Sequence, residues 1–421
     1  MENVKVRYGP SPTGIPHIGN IRTALFNYLF AKNKGGKFFL RIEDTDQARI
    51  VPGAVEKIQE SLKSLSLNWD GEIIFQSKRL NLYQKYLKEL KSKGLAYEDE
   101  GAWRFKISTE KKEISWQDVV HGQITFPTGV LEDFVIIKSD GFPTYHFASV
   151  VDDHEMEISH VMRGDEWISS TPKHLQLYNA FGWQTPKFAH LPAILGQNHK
   201  KLSKRDGAKS VMEYLDEGYL PQALVNFMVL LGWAPKSNQE IFSLYDLEKE
   251  FTLERINKNS PIFNIEKLKW MNGQWIRRLD NPTLSEYTGR IVPTYSIDKI
   301  SHAMPVVKDR LQTLKDFETL AAPLIDENVS VDPSKVILGS DKLTKFKEAY
   351  QNIIQWDKTN ISNATTSVMR SEDLSKPEAL GSIGTAVSGS KVTPPIFDML
   401  QHLGKAKTIK RLEDVIKEKE K

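Results

Sequence analysis

The chain has 421 residues, 57 basic and 54 acidic side chains, a formal net charge of +3 and no cysteine. This excludes disulfides, cysteine–zinc sites and thiol nucleophiles. It also excludes a general polyanion binder, because any nucleic-acid contact must draw on positive charge gathered on one face. No run of about 18 apolar residues offers a membrane span, and Met1-Glu-Asn-Val leads straight into the first predicted strand, so the cytosol is the expected location. The length predicts two to four domains.

Val4–Tyr8 alternates as a short strand, and Gly9, Pro10, Pro12, Gly14 and Pro16 then break any regular element. A helical pattern starts at His17. Strand, tight turn and helix put small residues, His17 and Gly19 at the positive end of a helix, where backbone can approach a phosphate. Residues 37–42 predict a second buried strand ending at Glu43-Asp-Thr-Asp46. Strand–helix–strand opens a parallel nucleotide-binding sheet, whose ligands lie at the carboxyl ends of its strands. Asp46 reads equally as an acidic cap for the helix starting near Pro52.

Amphipathic helices are predicted over 54–67 and 78–92, and short strands over 103–107 and 123–138 with a turn at Pro127-Thr-Gly129. Residues 145–151 read as the sheet resuming. Residues 158–163 read as a strand delivering Arg163 to its end, followed by a helix from Trp167 to about Phe181. The cluster Asp152, Asp153, His154, Glu155, Glu157 and His160 has no compact zinc spacing, so a polar network is expected. A basic loop, Lys200-Lys-Leu-Ser-Lys-Arg-Asp-Gly207, precedes a helical remainder: 209–217, 221–231, 243–250, 264–279, then short helices over 306–421 with Gly381–Pro395 as the main loop. The last 21 residues carry seven basic and four acidic side chains, a solvated face or an RNA-backbone contact. Of Trp233, Trp270, Trp275 and Trp356, most are expected in the core, with one or two as candidates to stack on bases.

A His-x-Gly helix start followed far downstream by Lys201-Leu-Ser-Lys204 resembles the paired HIGH and KMSKS signatures of class I aminoacyl-tRNA synthetases. Arg41-Ile-Glu-Asp-Thr-Asp46, Asp140-Gly-Phe-Pro-Thr-Tyr145, Val150-Val-Asp-Asp-His154, Val161-Met-Arg-Gly-Asp165, Thr171-Pro-Lys, Ala189-His-Leu-Pro192 and Leu230-Leu-Gly-Trp233 resemble the bacterial glutamyl-tRNA synthetases, in their order. The resemblance implies a Rossmann-like parallel sheet (1–86 and 147–197), split by a small α+β acceptor-end insertion (87–146). An all-α C-terminal half follows: a stem-contact domain with the basic loop (198–280), then a helical anticodon-binding region (281–421). The insertion is shorter than the family norm and lacks the zinc-binding cysteines of some relatives, so no structural zinc is expected.

The implied reaction has two steps. The glutamate α-carboxylate attacks the ATP α-phosphate and expels pyrophosphate; a terminal ribose hydroxyl of tRNA then attacks the mixed anhydride and releases AMP. Such chemistry needs positioning and charge stabilisation rather than a covalent enzyme intermediate. The resemblance assigns ATP to Pro10, Ser11, Thr13, His17, Gly19, Asn20, Lys201, Ser203 and Lys204, with Mg²⁺ carried mostly by phosphates and water. His17, Lys201 and Lys204 would act on the phosphates. It assigns glutamate to Arg7, Ser11, Glu43, Tyr145, Ser149 and Arg163, with Glu43 meeting the substrate ammonium. Two positions depart from the family: Asn20 replaces a His, and Ser149 stands where relatives often have Asn.

The expected partners are glutamate tRNA and, in a non-discriminating enzyme, glutamine tRNA; the family suggests a monomer. Two rivals are a paralogue that glutamylates another acceptor and a non-catalytic RNA-binding relative. About 190 residues after Leu231 argue against the first, and intact His17 and Lys-x-Ser-Lys against the second.

Overall fold

The computed structural model describes residues 3–202 and 208–421. Strand β1 (Lys5–Tyr8) runs parallel to β2 (Lys37–Ile42), with α1 (Ile18–Lys34) as the crossover. Helix α1 stops at Gly35, whose φ of 64° is the left-handed conformation glycine takes without penalty. After α2 (Ala54–Ser64), the short β3 (Ile74–Phe75) pairs in parallel with β2.

Helix α3 (Leu80–Ser92) leads to a small antiparallel sheet ordered β4 (Ala96–Asp99), β5 (Ala102–Phe105), β8 (Phe134–Ile137). Between β5 and β8 lies a hairpin, β6 (Glu113–Asp118) and β7 (Gly122–Pro127). Then come α4 (Tyr145–Glu155), β9 (His160–Gly164), α5 (Thr171–Phe181) and β10 (Lys187–Leu191). Strand β10 pairs in parallel with β9 and, through Phe188 and Asp118, with β6; β7 closes the edge antiparallel.

Strand β9 also adjoins β1. Ser159 N donates to Lys5 O at 2.9 Å, and Lys5 N to Ser159 Oγ at 3.0 Å. The parallel strands therefore read β3-β2-β1 and then β9-β10-β6, and the chain's winding reverses at the β1/β9 seam. Arg7 and Arg163 lie near the carboxyl ends of the two seam strands, where an open α/β sheet leaves its ligand crevice.

The chain divides into two compact units, residues up to Leu215 with Pro221–Leu268, and Asp216–Leu220 with Lys269–Lys421. The first adds α6 (Val211–Asp216), α7 (Pro221–Leu230) and α8 (Leu244–Glu250). One core cluster joins Tyr83 and Leu87 of α3, Phe105, Ile136, Phe147 and Val151 of α4, Leu177 of α5, and Phe188. The second unit is helical among its described residues. Beyond α9 (Ile265–Arg278), which spans the division, it contains α10 (Asn281–Ile291), α11 (Ile297–Val307), α12 (Asp316–Ile325), α13 (Ser340–Gln351), α14 (Lys358–Ser371), α15 (Lys376–Ser388) and α16 (Ile396–Glu420). Buried Arg411 of α16 donates to Pro323 O, Val387 O and Asp326 O, satisfying carbonyls at the ends of α12 and α15.

Three expectations are corrected. Residues 145–151 are not a strand: they belong to α4, where Phe147–Asp153 is continuously buried, so no polar face betrays the helical period. Gly381–Ser388 is not loop but the second half of α15, with Ile383, Ala386 and Val387 buried; the irregular segment is only 389–395. Of the four tryptophans only Trp233 is fully buried, and Trp270 is exposed.

The acidic cluster divides. Among the described residues no group of three or more His, Cys, Asp or Glu is placed to hold a metal. Asp152 is fully buried and accepts from Gln76 Nε2 at 2.9 Å, Arg79 Nε at 2.7 Å and Tyr83 Oη at 2.8 Å, which ties α4 to the start of α3. Replacing Asp152 with Ala strands these donors, and breaking such a buried network costs roughly 3–5 kcal/mol. Urea unfolding should show that loss; a loss under about 1 kcal/mol, the scale of an exposed pair, would refute the structural role.

Candidate functional site

A cavity of about 870 Å³ opens at the carboxyl end of the seam. Its lining takes in nearly every sequence-predicted site residue among those described: Arg7, Pro10, Ser11, Thr13, His17, Gly19, Asn20, Glu43, Tyr145, Arg163 and Lys201. Ser149 is fully buried and is not in the lining; its Oγ accepts from Arg41 Nη2 at 3.5 Å. Ser203 and Lys204 lie outside the described residues.

The turn end of the cavity is built by the start of α1. His17 is the N-cap, with extended φ −85°, ψ 169°. Its Nδ1 accepts from Gly19 N at 3.0 Å, so the ring's proton belongs on Nε2, and the ring is held as a donor. Asn20 closes the capping box, its Oδ1 accepting from His17 N at 3.2 Å. The amide that departs from the family pattern therefore completes the helix start. A Cβ on Gly19 would come within 2.9 Å of the His17 ring, so glycine keeps that ring folded onto the helix.

At the other end, three guanidinium groups are buried close together. Arg7 pairs bidentately with Asp153, Nε–Oδ1 at 2.8 Å and Nη2–Oδ2 at 3.3 Å. Arg41 reaches the same Oδ1 at 2.6 Å through Nη1 and Glu43 Oε1 at 2.9 Å through Nη2. Burial alone would raise the Asp153 carboxyl, but Arg41 and Arg7 outweigh it and hold the group below its ordinary range. For Glu43 the balance is opposite: burial raises it despite Arg41 and Arg7. A carboxylate held with too little compensating charge favours a further cation. Gly9 is required beside it, since a Cβ there would lie 2.5 Å from Glu43 Oε1.

Arg163 differs in kind. It is 5% exposed, lines the cavity, and has no ion-pair partner among the described residues. Each acceptor is neutral: His190 Nε2 at 3.1 Å from Nε, Tyr145 Oη and His174 Nδ1 each at 3.3 Å from Nη1, and Thr171 Oγ1 at 2.8 Å and Trp167 O at 3.4 Å from Nη2. Arg163 thus lacks a neutralising charge among the described residues, which favours an anion beside it. Farther out, Lys201 Nζ stands 3.4 Å from Glu166 Oε1, both half-exposed. Arg22 ties the cavity floor to Leu231 O at 2.8 Å and to Pro192 O; burial pushes it down to about 10, against Asp165 and Glu166.

The sequence reading missed Arg41, Asp153, His190, His174 and Thr171 as members of this site. One signal was available: an arginine delivered to a buried strand end demands acceptors. Polar residues inside apolar runs, such as His190 in Phe-Ala-His-Leu, were candidates to supply them.

The catalytic-domain model of class I tRNA synthetases (E and Q) matches residues 3–103 and 99–270, and the anticodon binding domain model matches 268–416. The glutamate–tRNA ligase of Dehalococcoides mccartyi is 41% identical over 471 aligned positions, covering 97% of this chain and 97% of that protein. Glutamate–tRNA ligase 2 of Thermoanaerobacter pseudethanolicus is 36% identical, covering 99% and 98%. The crystal structure of a glutamate tRNA ligase from Elizabethkingia meningosepticum, in complex with its amino acid, matches with a TM-score of 0.85 and 31% identity over 99% of each chain. The two catalytic-domain matches overlap at 99–103, in the β4–β5 turn.

Three imidazoles around Arg163 are driven toward neutrality. Burial, then Lys173 and Arg163, push His146 down to about 4; burial also lowers His174 and His190. The unfolded chain binds these protons near the ordinary 6.5 and the folded chain does not. The stability they contribute is thus complete above that value and is lost as pH falls from about 6.5 toward 4. Denaturant unfolding at pH 7.5 and pH 5 should show a lower free energy at pH 5, and His146→Phe should flatten the difference. An unchanged slope in the variant would count against His146 as a contributor.

Proposed function

Because the chain belongs to the glutamate–tRNA ligases, a family of class I aminoacyl-tRNA synthetases, we propose that it joins L-glutamate to the 3′ end of glutamate tRNA at this cavity, at the expense of MgATP and in the cytoplasm. The observation that carries the substrate assignment is Arg163, a buried cation lining the cavity without an anionic partner among the described residues. The glutamate side-chain carboxylate supplies the missing charge. A planar guanidinium suits a carboxylate and serves a neutral amide poorly, which favours glutamate over glutamine. Glu43, raised by burial, meets the α-ammonium. Tyr145, Ser11 and Arg7 complete the amino-acid pocket, while Ser149 supports it from behind Arg41.

ATP occupies the turn end. The Nε2–H of His17 donates to phosphate oxygens as charge shifts during attack on the α-phosphorus. Gly19 and Asn20 keep the helix start open and capped, with Pro10 and Thr13 in the wall. Lys201, Ser203 and Lys204 follow the departing pyrophosphate. Mg²⁺ would enter with ATP as part of the substrate, held mostly by phosphates and water; of the described carboxylates lining the cavity, Glu43 pairs with Arg41, Glu166 with Lys201 and Asp46 with Arg49. In the second step a terminal ribose hydroxyl of the tRNA attacks the acyl carbon and AMP leaves. The helical second unit, matched by the anticodon binding domain, reads the tRNA.

The test is aminoacylation of separate glutamate and glutamine tRNA transcripts with MgATP and no zinc. Glutamate on the first transcript is expected; glutamate on both would make the enzyme non-discriminating, and glutamate on neither would overturn the proposal. Arg163→Ala should raise the glutamate KM at least about tenfold, the equivalent of one charge-assisted hydrogen bond, with the ATP KM little changed. An unchanged glutamate KM would remove Arg163 from the pocket.

A further inference from the structure

The polar groups behind Arg163 form two chains that the reaction itself does not use. Asp118 ends β6, in the β6–β7 hairpin, and is fully buried. Its Oδ2 lies 2.6 Å from His190 Nδ1, and its Oδ1 accepts from Val120 N and His121 N, each at 3.0 Å, and from His190 N at 3.4 Å. His190 presents its other nitrogen, Nε2, to Arg163 Nε at 3.1 Å. On the far side Arg163 Nη1 reaches His174 Nδ1, whose Nε2 is 3.1 Å from His146 Nδ1.

These partners fix the tautomers. Arg163 can only donate, so the facing nitrogens of His190 and His174 must be bare. The His190 proton then sits on Nδ1 and needs an acceptor. Asp118 is the group that guarantees one, because all of its neighbours here are donors and both its oxygens accept. From this we infer that Asp118 and His190 are positioning residues for glutamate: Asp118 sets the His190 tautomer, and His190 aims the Arg163 guanidinium at the substrate carboxylate. The inference deepens the reading of Arg163 as the carboxylate-binding residue and rests on it. It also gives the β6–β7 hairpin a task in amino-acid recognition. The logic is that of a carboxylate–imidazole pair orienting a functional group, with a guanidinium in place of a metal or a nucleophile.

An asparagine at 118 cannot satisfy this geometry. If its amide oxygen faces His190 Nδ1, its NH₂ meets the backbone donors of Val120 and His121. If its NH₂ faces His190, the ring must move its proton to Nε2, against Arg163. Asp118→Asn should therefore raise the glutamate KM about tenfold, the weight of one charge-assisted hydrogen bond, with kcat and the ATP KM within about twofold of the parent, since neither phosphate nor tRNA contacts are altered.

Two variants at 190 guard against a misfolded Asp118→Asn. His190→Gln can still place an amide oxygen toward Arg163 Nε. His190→Asn mimics only the Nδ1 side, and leaves Arg163 without its acceptor. A positioning role predicts that Gln retains a glutamate KM closer to the parent than Asn does. A merely structural role predicts equal damage from both, shared by kcat and the ATP KM, and that result would overturn the inference. The closing measurement is the double variant Arg163→Ala with Asp118→Asn. If Asp118 acts through Arg163, the second change adds nothing to the glutamate KM of Arg163→Ala. Additive effects, or an Asp118→Asn enzyme with unchanged glutamate KM, would refute the positioning role and leave the Arg163 reading intact. An unchanged KM in Arg163→Ala alone would bring down both.

Discussion

The first unit is organised around the difficulty of burying three arginines at the ends of neighbouring strands. Removing a guanidinium from water is costly unless an opposite charge or a full set of acceptors replaces the solvent. The protein uses both solutions within one cavity. Asp153 neutralises Arg7 and Arg41 together through Oδ1, and Glu43 adds a second carboxylate to Arg41. Among the described residues Arg163 receives dipoles alone. The pocket is thus charge-balanced along β1 and β2 and left positive along β9. This asymmetry separates an arginine already paired with a carboxylate from one that is not, and exposure does not make the distinction, since Arg7 and Arg163 are equally buried and both line the cavity.

The strand order turns this electrostatic arrangement into a site. Had β9 followed β3 at the sheet edge, Arg163 would lie three strands from Arg7, with β2 and β3 between them. The reversal at the β1/β9 seam instead places the two arginines side by side, with α1 opening above them at a helix start that already favours anions. In the proposed function this junction takes the amino acid at the strand ends and the phosphates at the α1 turn. Asp153 belongs to the same logic: it sits on α4, which crosses from the small antiparallel sheet to β9, so one helix both links the halves and neutralises their shared face.

Much of this was legible in the sequence because it was local. The α1 turn announces itself through Gly9, Pro10, Gly14 and His17, and the two seam arginines stand near the ends of predicted strands. What escaped was non-local or masked by burial. The partner of Arg7 is 146 residues away, and the acceptor for Arg163 Nε is 27 away on the next strand. Residues 145–151 carry Phe, Val and Val at strand-like density, and a helix buried on all sides shows no amphipathic period to correct that reading. Gly381 and Gly384 suggested a loop, whereas both lie inside α15, whose neighbours Ile383, Ala386 and Val387 are buried. Asn20 looked like a substitution to be tolerated, and its role in the capping box appears only once φ and ψ of His17 are known.

The shortened region between the two halves of the sheet gains meaning from the same electrostatics. Alignment with the Dehalococcoides mccartyi ligase runs over 471 positions, more than this chain contains, and the family matches meet at 99–103. Residues present in that relative are therefore missing here, and the two family matches meet in the β4–β5 turn rather than in β6 or β7. A deletion reaching β6 would remove Asp118, release the His190 proton from its acceptor and set an imidazole N–H against the Arg163 guanidinium. A deletion at the β4–β5 turn disturbs nothing behind that arginine. The Asp118–His190 hydrogen bond behind Arg163 thus lies on strands β6 and β10, outside the turn where the family matches meet.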